Sequence, residues 1–139
     1  MSDYERYLFR GKQKNSGKWI YGDLRHISDG HGGYILCIVD NTNGKNNDVT
    51  GVEVVPKTVG QYTGLTDKNG VKIFEGDIVQ AFDYIYVIMW DSVRAMFYLR
   101  DSISRVSADF YNYFGSDLTV IGNIHDNPEL LGGGPNDQM

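Results

Sequence analysis

Apolar and polar positions change over in short blocks along the chain, and the spacing of those blocks predicts strands rather than helices over most of its length. Residues 7–10 and 18–24 read as two strands around a polar turn at 11–17, which makes a hairpin. A second turn, rich in Gly and Asp, covers 28–33. The run Tyr34-Ile35-Leu36-Cys37-Ile38-Val39 is nearly all apolar, as a strand buried on both faces would be. Residues 40–48 hold no apolar side chain and predict a mobile loop. A short strand over 52–55 then ends at Pro56, which cannot donate to a ladder.

Beyond Pro56 the punctuation becomes tighter. Asp67-Lys68-Asn69-Gly70 is a turn signal: Asp opens a type I turn, and Gly70 can take the left-handed conformation that closes it. A strand over 71–74 leads into the turn Glu75-Gly76-Asp77, and 78–82 is again a strand. Residues 84–90 and 95–100 form a further hairpin. From 102 to 114 the period lengthens: Ile103, Val106, Phe110 and Tyr113 fall near helical spacing, with Ser102 or Ser104 as the cap, so a short amphipathic helix is expected there. A last strand spans 118–124. Asn127 and Pro128 predict one helical turn with Asn127 as cap and Pro128 at its first position. Five short strands in about 60 residues after Gly60 suit a small, partly open barrel.

Composition sharpens this to a mainly β protein with at most one or two short helices. Tyrosine (10) and glycine (17) are both frequent, and they supply the half-buried pleated surfaces and tight turns that short strands need. The break near 56–60 divides the chain into a small N-terminal β-rich subdomain (1–57) and a second subdomain (58–131), with a disordered tail (132–139). Thirteen basic residues stand against 18 acidic ones, a formal charge of −5 that opposes generic binding to a phosphate backbone. Cys37 is the single cysteine, so no disulfide closes within the chain. Residues 1–6 show no basic region leading into an apolar stretch, and the apolar run at 85–90 is too short to span a bilayer, so a cytoplasmic protein is expected.

Five segments carry a resemblance. They are Phe9-Arg10-Gly11-Lys12; Gly17-Lys18-Trp19-Ile20-Tyr21-Gly22; Val59-Gly60-Gln61-Tyr62-Thr63-Gly64-Leu65 with Asp67-Lys68-Asn69-Gly70; Ile73-Phe74-Glu75-Gly76-Asp77-Ile78-Val79; and Val120-Ile121-Gly122-Asn123-Ile124 with Asn127-Pro128-Glu129-Leu130. In this order they resemble the YopX family of phage and prophage proteins across nearly the whole chain. The resemblance implies an SH3-like barrel for 58–131 behind the smaller β-rich part, in the cytoplasm of a bacterial host. It brings no catalytic residue and no cofactor with it.

The chemistry that remains is sparse. His26, His31, His125 and Cys37 follow no zinc-ligand spacing, and Cys37 reads as a small core residue. Aligning Gly70 with the glycine of a calcium loop puts Leu65 and Gly76 where ligand oxygens are required, so the EF-hand reading fails. Glu75 and Asp77 flank a glycine, where solvent exposure and a backbone-bonding Asp77 are expected rather than an acid–base pair. Asp67, Asn69, Gly70, Gly76 and Asp77 are therefore read as turn residues. No phosphate cradle or nucleophile elbow occurs. Positive charge gathers in Arg6, Arg10, Lys12, Lys14, Lys18 and Arg25, interleaved with Trp19 and Tyr21; such a hairpin can bind single strands by stacking and phosphate contact. The alternative is an amphipathic hairpin with its aromatics inward. The sequence reading is thus a non-catalytic module for a protein partner, with no cofactor and no metal. Nucleic-acid binding through that hairpin and an enzyme without a recognisable motif are the alternatives. Open strand edges and surplus aromatics add the expectation of a homo-oligomer, a two-fold dimer by default.

Overall fold

Alternating side chains and closely spaced turns make this a mainly β chain: 56% of the described residues are strand and 9% helical. A computed structural model describes residue 5 and residues 7–40, 51–104, 107–109 and 117–132. Among these, no helix reaches seven residues, and none is long and apolar enough to cross a membrane. The chain divides into two compact units after Tyr62.

The first unit is an antiparallel sheet. Its strands are β1 (Phe9–Lys12), β2 (Trp19–Ser28), β3 (Tyr34–Val39) and β4 (Val52–Glu53), joined by the start of β5 (Gly60–Thr66), in the order β4-β3-β2-β1-β5. Two glycines permit this packing. At Gly11 a Cβ would lie 3.1 Å from Val54, and at Gly22 it would lie 1.9 Å from the carbonyl oxygen of Val39. No side chain larger than hydrogen fits the second position while β2 and β3 stay paired. β3 is buried only in its second half, at Cys37, Ile38 and Val39. Tyr34 is exposed, so the apolar run is not covered on both faces along its whole length. After β4, a 3₁₀ turn at Pro56–Thr58 returns the chain to β1. There the Thr58 hydroxyl donates to the Val55 carbonyl (2.6 Å) and accepts from the Lys12 N–H (2.9 Å).

In the second unit the end of β5 pairs with β6 (Lys72–Phe74). A five-stranded antiparallel sheet follows, in the order β10-β9-β8-β7-β11. It is built from β7 (Asp77–Ala81), β8 (Tyr84–Asp91), β9 (Met96–Asp101), β10 (Ser107–Asp109) and β11 (Thr119–Asn123). Each face of this sheet buries its own core. One face carries Val79, Tyr86, Ile88 and Leu99 packed with Ile73 and Leu118. The other carries Ile78 and Val87, with Ile85, Met89, Ile121 and Ile124, under Leu130 and Leu131 of a 3₁₀ turn at Pro128–Leu131. That arrangement explains the apolar run in β8, whose successive side chains enter different cores. Each fully buried Ile, Val or Leu contributes about 1.5–3 kcal/mol, so neither face is dispensable.

Three local expectations change. Residues 102–104 form a turn and Ser107–Asp109 is a strand paired with β9, so the described part of 102–114 is not helix. Ile103, which would have belonged to the apolar helix face, is 85% exposed; ladder bonds to β9 supply what a short helix could not. Val106, Phe110 and Tyr113 lie outside the described residues, as do residues 41–48 of the predicted loop and residues 133–139 of the predicted tail. Asn127 stands at the N-cap of its helical turn, but its side chain does not cap it. Its Oδ1 instead accepts from the Asn123 N–H at 3.2 Å, beside the register shift between Val120 and Gly122.

Candidate functional site

The basic aromatic hairpin forms, and its register explains where its charges go. Arg10 pairs with Tyr21 and Lys12 with Trp19, which puts all four side chains on one face of β1 and β2. The Arg10 guanidinium lies 4.7 Å and the Lys12 ammonium 5.6 Å from the centre of the Trp19 ring, so one indole serves two cations. Arg10 is only 6% exposed. Lys14 reaches Glu53 at 3.2 Å. Lys18, Tyr21 and Arg25 are exposed, and Arg6 lies outside the described residues. The structure therefore brings Arg10, Lys12, Trp19 and Tyr21 together and directs Lys14 to a carboxylate.

The turn residues are held by their own carboxylates. Asp67 Oδ1 accepts from the N–H groups of Asn69 (2.8 Å) and Val71 (2.9 Å), and Oδ2 accepts from Val120 (2.9 Å). Burial pushes this carboxyl up, but the three backbone donors and neighbouring Lys68 outweigh it and hold it below the ordinary carboxylate range. Gly70 follows at φ 80°. Asp77 Oδ2 accepts from the Phe74 N–H at 2.7 Å across Gly76, which sits at φ 90°. The expected exposure of Asp77 is overturned, since the residue is 2% exposed. Its turn is enclosed because the Gly76 N–H donates to the Ile88 carbonyl and the Ile124 N–H donates to the Gly76 carbonyl.

A third region was not singled out by the sequence. Ala81 pairs with Tyr84, leaving Phe82 and Asp83 as the two central residues of the β7–β8 turn. Two-residue hairpin turns need a positive φ at the first central residue, which is why glycine or asparagine usually stands there. Phe82 stands there instead, at φ 56°, with its side chain 80% exposed. The left-handed region costs a residue with a Cβ about 1–2 kcal/mol. Behind Phe82, Tyr84 is 53% exposed and stacks on Tyr86, with ring centres 6.0 Å apart.

The next turn, 101–104, lies alongside, because the Ser102 N–H donates to the Ile85 carbonyl. Asp101 Oδ1 accepts from Ile103 (2.9 Å) and Ser104 (3.0 Å), which fixes the carboxylate and leaves the Ile103 side chain outside. Burial pushes the Asp101 carboxyl up, and the bonds from Ser104 and Ile103 bring it below the ordinary range. Between the two turns is a pocket of about 350 Å³, lined by Asp83, Tyr84, Ile85 and residues 101–104. The signal available in the sequence was Asp83, one polar residue between two apolar blocks. Without a glycine beside it, it gave no turn signature.

Among the described residues, no group of three or more His, Cys, Asp or Glu could hold a metal ion. His26 faces the ring of Tyr34 at 6.3 Å, and Cys37 is buried in β3.

No curated protein is a significant match to the chain. Among solved structures, the chain is similar to protein EF1440 from Enterococcus faecalis, with 24% identity and a TM-score of 0.51 over 89% of this chain and 96% of that one. That likeness is one of fold. The family described as YopX protein matches residues 8–132.

Proposed function

The chain belongs to the YopX protein family, and we propose that it is a non-catalytic interaction module that binds another protein, in a phage or prophage setting within the host cytoplasm. The observation that carries this reading is Phe82: a bulky aromatic occupies a backbone position suited to glycine and holds its side chain in water. Folding gains nothing from that choice. An exposed aromatic kept at a strained position suits contact with a partner. The exposed Tyr84 and Ile103 nearby widen the apolar surface, and aromatic side chains supply contact area at small entropic cost. The SH3-like reading of residues 58–131 draws support from Asp67, whose bond to Val120 ties the β5–β6 turn to β11.

The nucleic-acid alternative is weakened by the burial of Arg10 against Trp19 and the pairing of Lys14 with Glu53. Fluorescence anisotropy with short DNA and RNA at low salt should stay flat, and a salt-sensitive rise would favour that alternative instead.

The decisive test places a photo-crosslinking amino acid at position 82 and, as control, at exposed Lys57 in the other unit. In cells, position 82 should yield a discrete protein adduct that position 57 does not. An adduct of twice the chain mass would make a second copy the partner. No adduct at position 82 in repeated experiments would overturn the reading.

A further inference from the structure

We infer that the pocket between the β7–β8 and 101–104 turns receives a basic segment of the partner protein, in which an apolar side chain is flanked by lysine or arginine. This deepens the interaction-module reading and rests on it. Three features of the pocket lead to it.

Its apolar walls are Tyr84, Ile85 and Ile103, with the Phe82 side chain standing out at the same turn. At about 350 Å³ it is the size of one or two side chains. Among the described residues, both charged ones that line it, Asp83 and Asp101, are acidic, and none is lysine or arginine.

Those charges decide what can enter. A wholly apolar partner would strip water from two carboxylates with nothing in exchange, and an acidic segment would add repulsion. Asp101 is not free to swing away, because its Oδ1 holds the N–H groups of Ile103 and Ser104 and thereby shapes the turn. Its negative charge is a fixed part of the pocket rim. A cation beside the entering apolar group satisfies both demands. The whole chain, at −5, steers a basic segment in the same direction.

The test uses the full-length, ¹⁵N-labelled chain and three synthetic peptides of equal length. One alternates lysine with leucine, one replaces lysine with glutamate, and one replaces leucine with serine. In two-dimensional NMR at low salt, the lysine–leucine peptide should move the amide signals of residues 83–85 and 101–104, and added salt should reverse the movement. The other two peptides should leave those signals in place. Asp83→Lys, a change in an exposed turn, should weaken the lysine–leucine peptide by at least about tenfold while the remaining spectrum keeps its dispersion.

Equal movement with the glutamate–leucine peptide would overturn the basic-segment inference, as would an unmoved spectrum with the lysine–leucine peptide. If cross-linking at position 82 still captures a protein in either case, the module reading stands and only the partner's chemistry is wrong. If cross-linking fails too, both fall.

Discussion

Two turns of the second unit solve the same problem at opposite expense. At 67–70 the chain reverses with a buried aspartate whose oxygens accept three N–H groups and with a glycine at φ 80°. Every choice there favours the folded state. At Phe82–Asp83 the chain reverses within two residues, and the position that needs a positive φ is given to phenylalanine, whose side chain points into solvent. The first turn is optimised for folding. The second gives up stability, and that difference is what the proposed contact role of Phe82 would account for.

Substitutions at the two turns should therefore move stability in opposite directions. The largest effect belongs to Asp67→Ala, which leaves three backbone donors without their acceptor in a nearly closed site. It should cost about 3 kcal/mol in urea unfolding followed by circular dichroism; a loss below about 1 kcal/mol would mean that water replaces the carboxylate. The same group makes stability depend on acid. Its carboxyl is held below its unfolded value, so its contribution is complete above the ordinary carboxylate range of about 3.9 and fades as pH falls through the folded value. Asp67→Asn should flatten the stability–pH curve in that acid window and leave its shape above about pH 6 unchanged.

Phe82→Gly should act the other way. It relieves the left-handed strain and should raise stability by about 1 kcal/mol in the same urea unfolding measurement. If stability falls instead, Phe82 packs in a way that its 80% exposure does not suggest. The smallest effect is expected at Ala95, the other non-glycine residue at positive φ among those described, at 54°. Ala95→Gly should raise stability by about 0.5 kcal/mol with binding unchanged. A loss of binding there would remove the special standing of Phe82.

How much of this was legible in the sequence follows the same division. The Asp67-Lys68-Asn69-Gly70 turn announces itself because its residue types are those the backbone demands. The Phe82 turn did not, because neither Phe82 nor Asp83 is the glycine or asparagine that would have signalled it; Phe82 read as the last residue of a strand. The burial of Asp77 was hidden for a different reason. Local pattern gives its bond to Phe74, but its enclosure depends on Ile88 and Ile124, which only the folded sheet brings to Gly76. Ser107–Asp109 became a strand because β9 offered it an edge, a tertiary gain that apolar spacing does not encode. The basic hairpin was placed correctly as a hairpin, while the stacking of Arg10 and Lys12 on one indole depended on strand register.

The two oxygens of Asp67 also work over unequal spans of chain. Oδ1 binds residues two and four positions away, whereas Oδ2 binds Val120, 53 positions away. The near bonds need only a turn, which closes within microseconds; the far bond must wait until β11 has found β7. One carboxylate thus takes part in an early step and a late one of the same folding reaction. In stopped-flow refolding, Val120→Pro would remove the late donor outright but break the strand with it, so the informative change is again Asp67→Asn. Its energetic loss should appear chiefly as faster unfolding, with refolding slowed only by the share that the local turn contributes.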